Sequence, residues 1–388
     1  MDIYHIHGYK VALCAPTGRA AKRMSESTGE EAKTIHRLLD IGKIEDNKLE
    51  NIDVDLAPID ADVLIIDEMS MVDVFLMNYI TKSIYMGTKL VLVGDSNQLP
   101  SVGPGSILKD LIETDKIPKT NLDKIFRQAA QSKIILNAHR VNNGENFISK
   151  DEKEETKDDF FYINESMQSK ILNQLVSLTT GRLQKFGNYD FFQNMQILTP
   201  TKKGLLGTKE LNRELQKYIN PEDENKKEKK FGDMVYREGD RVMQIKNNYD
   251  IFWDREVLGV YEHSTGVFNG EIGRIDKIDY LEKQLKVVFD DEKNVWYQFN
   301  ELDQLELAYA ITIHKSQGSE FDVVIIALPQ AAPMLLTRNL LYTAITRAKK
   351  LLIILGGKNT VDFMIKNVDS KKRNTGLRNK IIELLEEI

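Results

Sequence analysis

The chain has 388 residues, enough for two or more domains with hydrophobic cores of their own. Charged residues make up 29% and the net charge is -6, which argues against a histone-like coat for duplex DNA but leaves room for a local basic channel. The only cysteine is Cys14 and the longest apolar stretch, residues 323–336, is broken by two prolines, so we expect no intrachain disulfide, no membrane span and a cytoplasmic location.

The first predicted strand covers residues 10–14 (KVALC) and leads into a turn formed by Pro16, Thr17 and Gly18. A helix is predicted to follow. Thr17 and the helix N-terminus can therefore donate hydrogen bonds to a phosphate, and Arg19 adds positive charge. The alternative is a plain strand-to-helix turn without a ligand.

Residues 40–60 lose this regular pattern. Short alternating segments around Asp46 and Asn47 predict a hairpin. A solvated loop without a role is the alternative.

The apolar run at residues 63–66 (VLII) predicts a strand buried on both faces, and it ends in two carboxylates, Asp67 and Glu68. Ligands of open α/β sheets bind at the carboxyl ends of such strands. Asp67 could hold Mg²⁺ on a nucleotide there, and Glu68 could orient an attacking water. The alternative is that the pair only caps the next helix.

A second buried strand is predicted at residues 89–95 (KLVLVGD), followed by SNQLPSVGPG. This places Asp95 and Gln98 at the same edge of the sheet as Asp67 and Glu68. The Gln98 amide can hydrogen-bond both a γ-phosphate and a catalytic water, so it can report hydrolysis to the rest of the protein.

The segments DEMS and GDSNQLPSVGPG resemble motifs II and III of superfamily 1 helicases. Upstream, APTGRAA followed by TIHRLL resembles motif Ia of RecD-like superfamily 1B helicases, the family of the exodeoxyribonuclease V alpha subunit and the RecD-TraA proteins. The resemblance implies an α/β fold with two RecA-like P-loop NTPase-type domains, the first incomplete, and ATP and Mg²⁺ as cofactors. It also implies single-stranded DNA contacts by Pro16, Thr17, Arg19 and His36, and a wedge at the duplex fork for the hairpin.

The segment 122–128 (LDKIFRQ) resembles motif IV of the same family, at the start of the second RecA-like domain. The resemblance implies that Arg127 projects across an interdomain cleft and neutralises charge on the γ-phosphate, a role that suits arginine better than lysine. The alternative is a surface salt-bridge arginine. Helices are predicted on either side, at residues 105–114 and 133–144.

Two mixed-charge runs, residues 151–159 and 222–230, are predicted to be solvated loops. Between them, residues 195–200 (MQILTP) predict a strand that ends in Thr199 and is followed by Lys202 and Lys203. These side chains suit phosphate binding, and the resembling family contacts single-stranded DNA near this point. A solvated loop is again the alternative.

From residue 231 to about residue 305, short alternating strands separated by Gly, Asn and Asp predict a small inserted barrel. Its position is similar to that of the SH3-like 2B insertion of RecD-like helicases. Trp296, Tyr297 and Phe299 could stack on bases, but aromatic residues that alternate in a small barrel are more often core, and we favour the core interpretation.

Residues 307–321 (LAYAITIHKSQGSEF) and 340–355 (LLYTAITRAKKLLIIL) resemble motifs V and VI. Thr312, His314, Lys315 and Ser316 offer donors for a DNA backbone. The resemblance implies that Gly318 and Glu320 approach the nucleotide and that Arg347 is a second arginine finger. A metal-ligand role for His314 is disfavoured because no partner occurs at usable spacing.

These motifs divide the chain into four predicted segments. Residues 1–121 form a partial first RecA-like domain with motifs Ia, II and III, and residues 122–231 begin the second domain. Residues 232–305 are the SH3-like insertion, and residues 306–388 complete the second domain.

Helicases of this family bind nucleotide phosphates with a GxxxxGK[ST] loop, and the 388 residues contain no such sequence. We read the chain as resembling the family without its N-terminal domain and without this loop. Because the backbone donors and lysine of the loop would clamp the phosphates, we expect the 388 residues alone not to hydrolyse ATP at a useful rate.

The leading functional hypothesis is an ATP-dependent 5′→3′ DNA helicase or translocase in recombination and repair, with a polarity that only the resemblance implies. Its partners would be single-stranded DNA, a duplex fork and other subunits of an exonuclease V-type complex. The alternative is a catalytically silent subunit that binds single-stranded DNA or supports assembly on a helicase scaffold. A stand-alone P-loop kinase is excluded by the missing loop and by motifs V and VI.

Overall fold

The computed structural model describes residues 1–41, 56–122, 131–147, 158–257, 259–368 and 373–387. Residues 1–126 and 369–388 form one compact unit, unit 1, and residues 127–368 form the other, unit 2. The hairpin predicted around Asp46 and the motif IV residue Arg127 lie outside the described residues, so both stay predictions.

Strands and helices alternate through the first part of unit 1, as the connections of a parallel sheet require. The elements, in chain order, are α1 (Asp2–Ile6), β1 (Val11–Ala15), α2 (Gly18–Thr28), β2 (Ala32–Thr34), α3 (Ile35–Leu38), β3 (Val63–Ile66), α4 (Val74–Ser83), β4 (Lys89–Leu92) and α5 (Ile107–Glu113). A short 3₁₀ helix, Met69–Met71, follows β3.

The sheet of unit 1 has four parallel strands in the order β2-β1-β3-β4. The apolar run of β3 is central because its side chains are buried on both faces, as the successive residues Val63 and Leu64 show with no exposed surface. The strand ends are in register, and the backbone amide of Asp67 donates to the Cys14 carbonyl over 3.0 Å. All three predicted positions for strands β1, β3 and β4 are therefore confirmed to within two or three residues.

Unit 2 contains an α/β part and an all-β part. Its elements are α6 (Lys133–Asn142), β5 (Phe160–Asn164), α7 (Gln168–Ser177), α8 (Leu183–Gly187), α9 (Phe191–Asn194), β6 (Met195–Thr199), α10 (Thr208–Ile219), β7 (Glu228–Phe231), β8 (Met234–Arg237), β9 (Arg241–Gln244), β10 (Asn248–Val257), β11 (Val260–Val267), β12 (Ile272–Asp279), β13 (Gln284–Phe289), β14 (Asn294–Gln298), β15 (Leu305–Leu307), β16 (Ala310–Thr312), β17 (Phe321–Ala327), α11 (Arg338–Ile345), β18 (Ala348–Gly356) and α12 (Lys358–Lys366). The chain ends in unit 1 with α13 (Leu377–Glu386).

Two sheets organise unit 2. Five parallel strands lie in the order β16-β6-β17-β18-β5, and seven antiparallel strands lie in the order β11-β10-β14-β13-β12-β9-β15. The first is the sheet expected of a RecA-like domain, and the second matches the predicted SH3-like insertion. The α/β fold class with an all-β insertion is thus confirmed.

The insertion shares its core with the α/β part of unit 2. One buried cluster contains Ile197 and Ile325 of the parallel sheet together with Val287 and Tyr297 of the antiparallel sheet. Tyr309 connects the two parts, since its hydroxyl donates to the buried Asp240 carboxylate over 2.7 Å. Because the two sheets pack on one core, the insertion is an integral layer of unit 2.

The C-terminal residues differ from the prediction that residues 306–388 all belong to the second domain. Residues 373–387 pack on unit 1, where Leu377 lies against the core and α13 contacts α5. The physical reason is that a short amphipathic helix carries an apolar stripe but no information about which core will bury it. Unit 1 is therefore built from both ends of the chain.

Candidate nucleotide and DNA site

The predicted catalytic residues of unit 1 gather at the carboxyl edge of its sheet. Asp67 and Glu68 follow β3, and Asp95 and Gln98 follow the neighbouring β4; all four side chains are half-buried. The Gln98 amide donates to Asp95 Oδ2 over 3.4 Å. The sequence prediction that these residues share one edge is borne out by the strand order, while their roles toward a nucleotide stay predictions.

Glu68 has an unusual backbone. Its φ of 52° and ψ of 42° lie in the left-handed region, which is sparsely populated by residues other than glycine. The backbone amide of Met69 then donates to the Val93 carbonyl over 2.9 Å, and Gly94 lies so close that a Cβ there would come within 3.0 Å of that amide nitrogen. The two strand ends are consequently held against each other, with Glu68 projecting from a strained turn.

The simple capping alternative for these carboxylates does not describe α4. The side chain that caps α4 is Asp73, whose Oδ1 accepts from the Leu76 amide over 2.8 Å. Asp67 Oδ1 accepts from the adjacent Glu68 amide over 2.8 Å, and Glu68 makes no side-chain cap bond to the 3₁₀ helix. The carboxylates after β3 are thus not consumed by capping α4.

The turn after β1 lies at the same edge, because β1 neighbours β3 in the sheet. Thr17 Oγ1 accepts from the Ala20 amide over 3.2 Å and so caps α2. Pro16, Arg19 and His36 are all half-buried nearby in the chain. The capping bond of Thr17 is what the alternative of a plain strand-to-helix turn predicts. Contact of these residues with phosphate or DNA stays a prediction.

In unit 2, two predicted DNA-contacting hydroxyls are buried and hydrogen-bonded to their own loops. Thr199 has no exposed surface and donates to the Leu206 carbonyl over 2.7 Å, and Ser316 has none either and donates to the Ile313 carbonyl over 2.8 Å. Side chains in this state stabilise the turns after β6 and β16 and are not presented to a ligand. The structure thus gives these two hydroxyls a role within their own loops, and DNA contact through them stays a prediction.

Of the remaining motif V residues, His314 and Lys315 form the outer part of that turn, whereas Thr312 is buried, with 8% of its surface exposed. Thr312 is paired with Thr199 across the sheet and its Oγ1 accepts from the Lys315 amide over 3.3 Å. His314 is exposed, and desolvation by the surrounding protein lowers the pKa of its imidazole. Lys315 donates to Asn269 Oδ1, and burial lowers the pKa of its ammonium, a shift that the Glu306 carboxylate opposes and Lys202 adds to. Lys202 and Lys315 follow the paired strand ends Thr199 and Thr312, so two lysines lie in adjacent turns, and DNA contact by them stays a prediction.

Arg347 is only 3% exposed and its guanidinium is committed within unit 2. Nε donates to the Thr343 carbonyl and Nη1 to the Ser319 carbonyl, each over 3.1 Å. Ser319 follows Gly318, whose φ is 71°, and precedes Glu320, which lies 3.7 Å from the Lys349 ammonium. Arg347 thus braces the motif V loop in this conformation, and its function as an arginine finger stays a prediction.

Among the insertion aromatics, the core interpretation is confirmed for Tyr297, which is fully buried and donates to Gln244 Oε1 over 2.9 Å. Trp296 and Phe299 are half-buried, and Phe299 packs against the same core. Sequence reasoning missed three aromatics of the insertion that face solvent, Phe252 at 55%, Tyr261 at 75% and Tyr280 at 51% exposure. Phe252 and Tyr261 lie on the β10–β11 hairpin, where their alternation with charged residues was the available signal.

The magnesium expectation rests on Asp67. Mg²⁺ on a nucleotide is commonly held by one or two carboxylates together with substrate phosphates, so a single half-buried aspartate at a sheet edge fits that arrangement. Within the described ranges, no three His, Cys, Asp or Glu side chains come together as a self-sufficient metal site.

No helix in the described parts of the chain is long and apolar enough to cross a membrane.

Three family models match the chain in succession. A model described as an AAA domain matches residues 1–156, the SH3 domain of ATP-dependent RecD-like DNA helicases matches residues 211–289, and the UvrD-like helicase C-terminal domain matches residues 307–355. Their order is that of the predicted segments.

Curated relatives match almost the whole chain. The ATP-dependent RecD2 DNA helicase of Deinococcus radiodurans is 33% identical over 382 residues, which is 98% of this chain and 47% of that protein. The RecBCD enzyme subunit RecD of Buchnera aphidicola is 30% identical, over 90% of this chain and 65% of the relative. The chain spans about half the length of the first relative and about two thirds of the second.

Among solved structures, Pif1 helicase from Bacteroides in complex with ADP-AlF3 and single-stranded DNA superposes with a TM-score of 0.51 at 19% identity, covering 97% of this chain and 88% of that one. At this identity the likeness concerns the fold alone. The three successive family models and the RecD relatives lead to one conclusion: the chain belongs to the family of RecD-like DNA helicases.

Proposed function

We propose that this protein acts in an ATP-driven motor that moves 5′→3′ on single-stranded DNA and opens duplex forks during recombination and repair. The observation that carries the proposal is the gathering of Asp67, Glu68, Asp95 and Gln98 at one sheet edge. The polarity and the repair context rest on the family.

In this proposal the sheet edge performs the chemistry. Asp67 holds the Mg²⁺ of the nucleotide, Glu68 orients the attacking water, and Gln98, together with Asp95, senses the γ-phosphate. Bound Mg²⁺ supplies charge neutralisation on the phosphates. Gly318 and Glu320 approach the nucleotide from motif V, and Arg127 and Arg347 neutralise charge that develops during transfer.

The DNA grip is assigned to two surfaces. Pro16, Thr17, Arg19 and His36 belong to unit 1, and Thr312, His314 and Lys315 belong to unit 2. The nearness of Lys202 to Lys315 supports the second surface, because clustered ammonium groups attract a phosphate backbone. Thr199 and Ser316 support this surface from below as buried turn residues.

The 388 residues by themselves are proposed to hydrolyse ATP poorly, because their sequence has no GxxxxGK[ST] loop. Charge-assisted hydrogen bonds contribute roughly 1.5–3 kcal/mol each, so nucleotide affinity without the loop should be lower by several such contacts.

A second candidate is a catalytically silent subunit that binds single-stranded DNA or supports an assembly. Two observations favour it: the 388 residues lack the loop, and the guanidinium of Arg347 is already bonded to backbone carbonyls. The RecD relatives are named as RecBCD subunits, so we propose other subunits of an exonuclease V-type complex as partners.

The test is ATP hydrolysis by the 388-residue chain with and without single-stranded DNA, beside Glu68→Gln and the exposed control Glu26→Gln. Binding of labelled oligo-dT is measured in parallel by fluorescence anisotropy. DNA-stimulated turnover that only Glu68→Gln abolishes supports the motor and overturns the argument about the loop. Binding without turnover supports the silent subunit, and neither binding nor turnover overturns both proposals for this chain.

A further inference from the structure

The loop between β4 and α5, residues 93–106, carries Gln98 and is pressed against the start of α4. The Val74 amide donates to the Pro104 carbonyl over 3.1 Å. A Cβ at Gly103 would lie 1.9 Å from Asp73 Oδ2, and a Cβ at Gly105, where φ is 88°, would lie 2.2 Å from Val74 Cγ2. Both positions therefore require glycine, and one side of the loop has no freedom to move toward α4.

The opposite support for the loop comes from the C-terminal segment. The Arg373 guanidinium donates through Nη1 to the Gly105 carbonyl over 2.6 Å, to Ser101 Oγ over 3.2 Å and to the Gly103 carbonyl, and through Nη2 to the Ser101 carbonyl. Ser101 Oγ in turn donates to the Gly103 carbonyl over 3.1 Å. Three carbonyls of one loop converge on a single planar cation, an array that would otherwise leave like partial charges facing one another.

Arg373 is held in place independently of the loop. Thr375 Oγ1 donates over 2.6 Å to Oδ2 of Asp110, a buried carboxylate on α5, and Leu377 packs on the unit 1 core. Arg378 lies 3.8 Å from Glu113 at the surface. These anchors fix the segment on α5, so Arg373 reaches the loop from a rigid base.

We propose that Arg373 is a positioning residue for the 93–106 loop and, through it, for the Gln98 side chain. The chain reaches Arg373 only after it has completed unit 2, so the segment that follows the second domain sets the conformation of the nucleotide-sensing loop of the first. The assignment of a sensing function to Gln98 rests on the function proposed above, whereas the control of the loop by Arg373 does not.

The first test measures amide hydrogen exchange in the intact 388-residue chain. We expect Arg373→Gln to accelerate exchange in peptides covering residues 97–106 by about tenfold or more, because several hydrogen bonds to a charged group are lost together. Arg373→Lys should give a smaller increase, since an ammonium cannot reproduce the planar fork. The matched control Arg378→Gln, five residues further on, should leave these peptides unchanged.

A second variant distinguishes positioning of the 93–106 loop by Arg373 from attachment of the C-terminal segment to α5. Thr375→Val removes an anchor and keeps the guanidinium, so its effect should be concentrated in α5 and α13 peptides. Equal acceleration of the loop by Thr375→Val and Arg373→Gln, or wild-type exchange of the loop in Arg373→Gln, would overturn the proposal.

The third readout is the side-chain amide signal of Gln98 in ¹⁵N-correlated NMR spectra, assigned with Gln98→Glu. Arg373→Gln should shift or broaden this signal while Arg378→Gln leaves it in place; an unmoved signal in both variants overturns the positioning of Gln98. Binding of a fluorescent ATP analogue by the wild-type chain is measured separately. If the wild-type chain does not bind the ATP analogue, the result counts against the proposed function. The proposal for Arg373 is then still tested by the exchange and NMR measurements.

Discussion

At the carboxyl edge of the unit 1 sheet, the predicted site residues that follow β3 and β4 are half-buried, and the Gln98 amide donates to the Asp95 carboxylate. In unit 2, the polar side chains at the corresponding strand ends, Thr199 and Ser316, are fully buried and bonded to carbonyls of their own loops. Both sets follow parallel strands and both belong to helicase-like motifs. In both units the sequence shows polar residues after a parallel strand. The same pattern therefore precedes half-buried side chains in unit 1 and fully buried ones in unit 2.

The difference follows from where the backbone groups of each turn find partners. In unit 1, Met69 and Val93 bond to each other through their backbones, and Asp67 and Asp95 each use Oδ1 to accept from a backbone amide of their own turn, so each carboxylate keeps further acceptor capacity. In unit 2, the turn after β6 leaves the Leu206 carbonyl inside the protein, and a buried carbonyl needs a donor. Thr199 supplies it. Polar residues in a motif thus serve the ligand only after the loop itself is satisfied.

The chain offers a separate probe for each unit. Both tryptophans, Trp253 and Trp296, lie in unit 2, and the only cysteine, Cys14, lies in unit 1. Burial raises the pKa of the Cys14 thiol to about 12, so it should react with alkylating reagents only when unit 1 opens. Tryptophan fluorescence and Cys14 alkylation can therefore follow the two units independently.

The largest effect is expected for Arg347→Ala. Removal of the guanidinium takes its buried hydrogen bonds away from the Thr343 and Ser319 carbonyls, although the Thr343 carbonyl keeps the Thr346 hydroxyl as a donor at 3.0 Å. Because hydrogen bonds to a charged group contribute about 1.5–3 kcal/mol each, the free energy of unfolding of unit 2 should fall by about 2–4 kcal/mol. Urea unfolding followed by tryptophan fluorescence measures it. The control is Lys349→Gln, which removes an exposed ammonium near Glu320. Equal stability of the two variants would mean that Arg347 does not brace the loop and is available as a finger.

In unit 1 the corresponding test is Gly94→Ala. The added methyl would lie 3.0 Å from both the Met69 amide nitrogen and Leu108 Cδ2, so a strand end must shift, and overpacking of this kind costs about 1–3 kcal/mol. Cys14 alkylation should accelerate by roughly one to two orders of magnitude, as that cost implies. Tryptophan fluorescence should report an unchanged unit 2. Wild-type alkylation would show that the ends of β3 and β4 are not packed as tightly as their contacts indicate.

Much of the fold was readable from the sequence because buried parallel strands have continuous apolar runs. That pattern predicted strands at residues 63–66, 89–95 and 195–200, which are observed at 63–66, 89–92 and 195–199, and the alternating run after residue 231 predicted the antiparallel sheet. The unit to which α13 belongs was not predictable. Thr375, which precedes α13, bonds to Asp110 at a separation of 265 positions, and the periodic stripe of α13 does not identify the core that buries it.

The site was predictable as a location but not as a set of exposed side chains. Strand order brought Asp67 and Gln98 to one edge as expected, since that follows from topology. The burial of Ser316 and Arg347 depends on loop carbonyls whose direction no motif encodes, and the contribution of Arg373 depends on three carbonyls of a distant loop. Backbone acceptors are the same for every residue, so sequence patterns do not reveal them.

Thr199→Val should lower the stability of unit 2 by about 1–2 kcal/mol, because the Leu206 carbonyl loses its donor inside the protein while the volume of the side chain is nearly kept. Its effect on single-stranded DNA should be absent, measured by oligo-dT anisotropy under conditions where the variant is fully folded. Loss of DNA affinity without loss of stability would return Thr199 to the set of direct DNA contacts.

The smallest expected effect belongs to Lys315→Gln, and it completes the contrast with Thr199→Val. Lys315 lies on the outer surface of the turn near Lys202, so the variant should weaken single-stranded DNA binding by roughly three- to tenfold at moderate salt and leave tryptophan-monitored stability close to wild type. The slope of log affinity against log salt should decrease by about 0.7, the value for one phosphate contact to a single strand. Lys349→Gln, which changes the same charge elsewhere on unit 2, is the matched control. If both lysine variants lose affinity equally, the DNA responds to the net charge of unit 2, and the turn after β16 is not a specific contact surface.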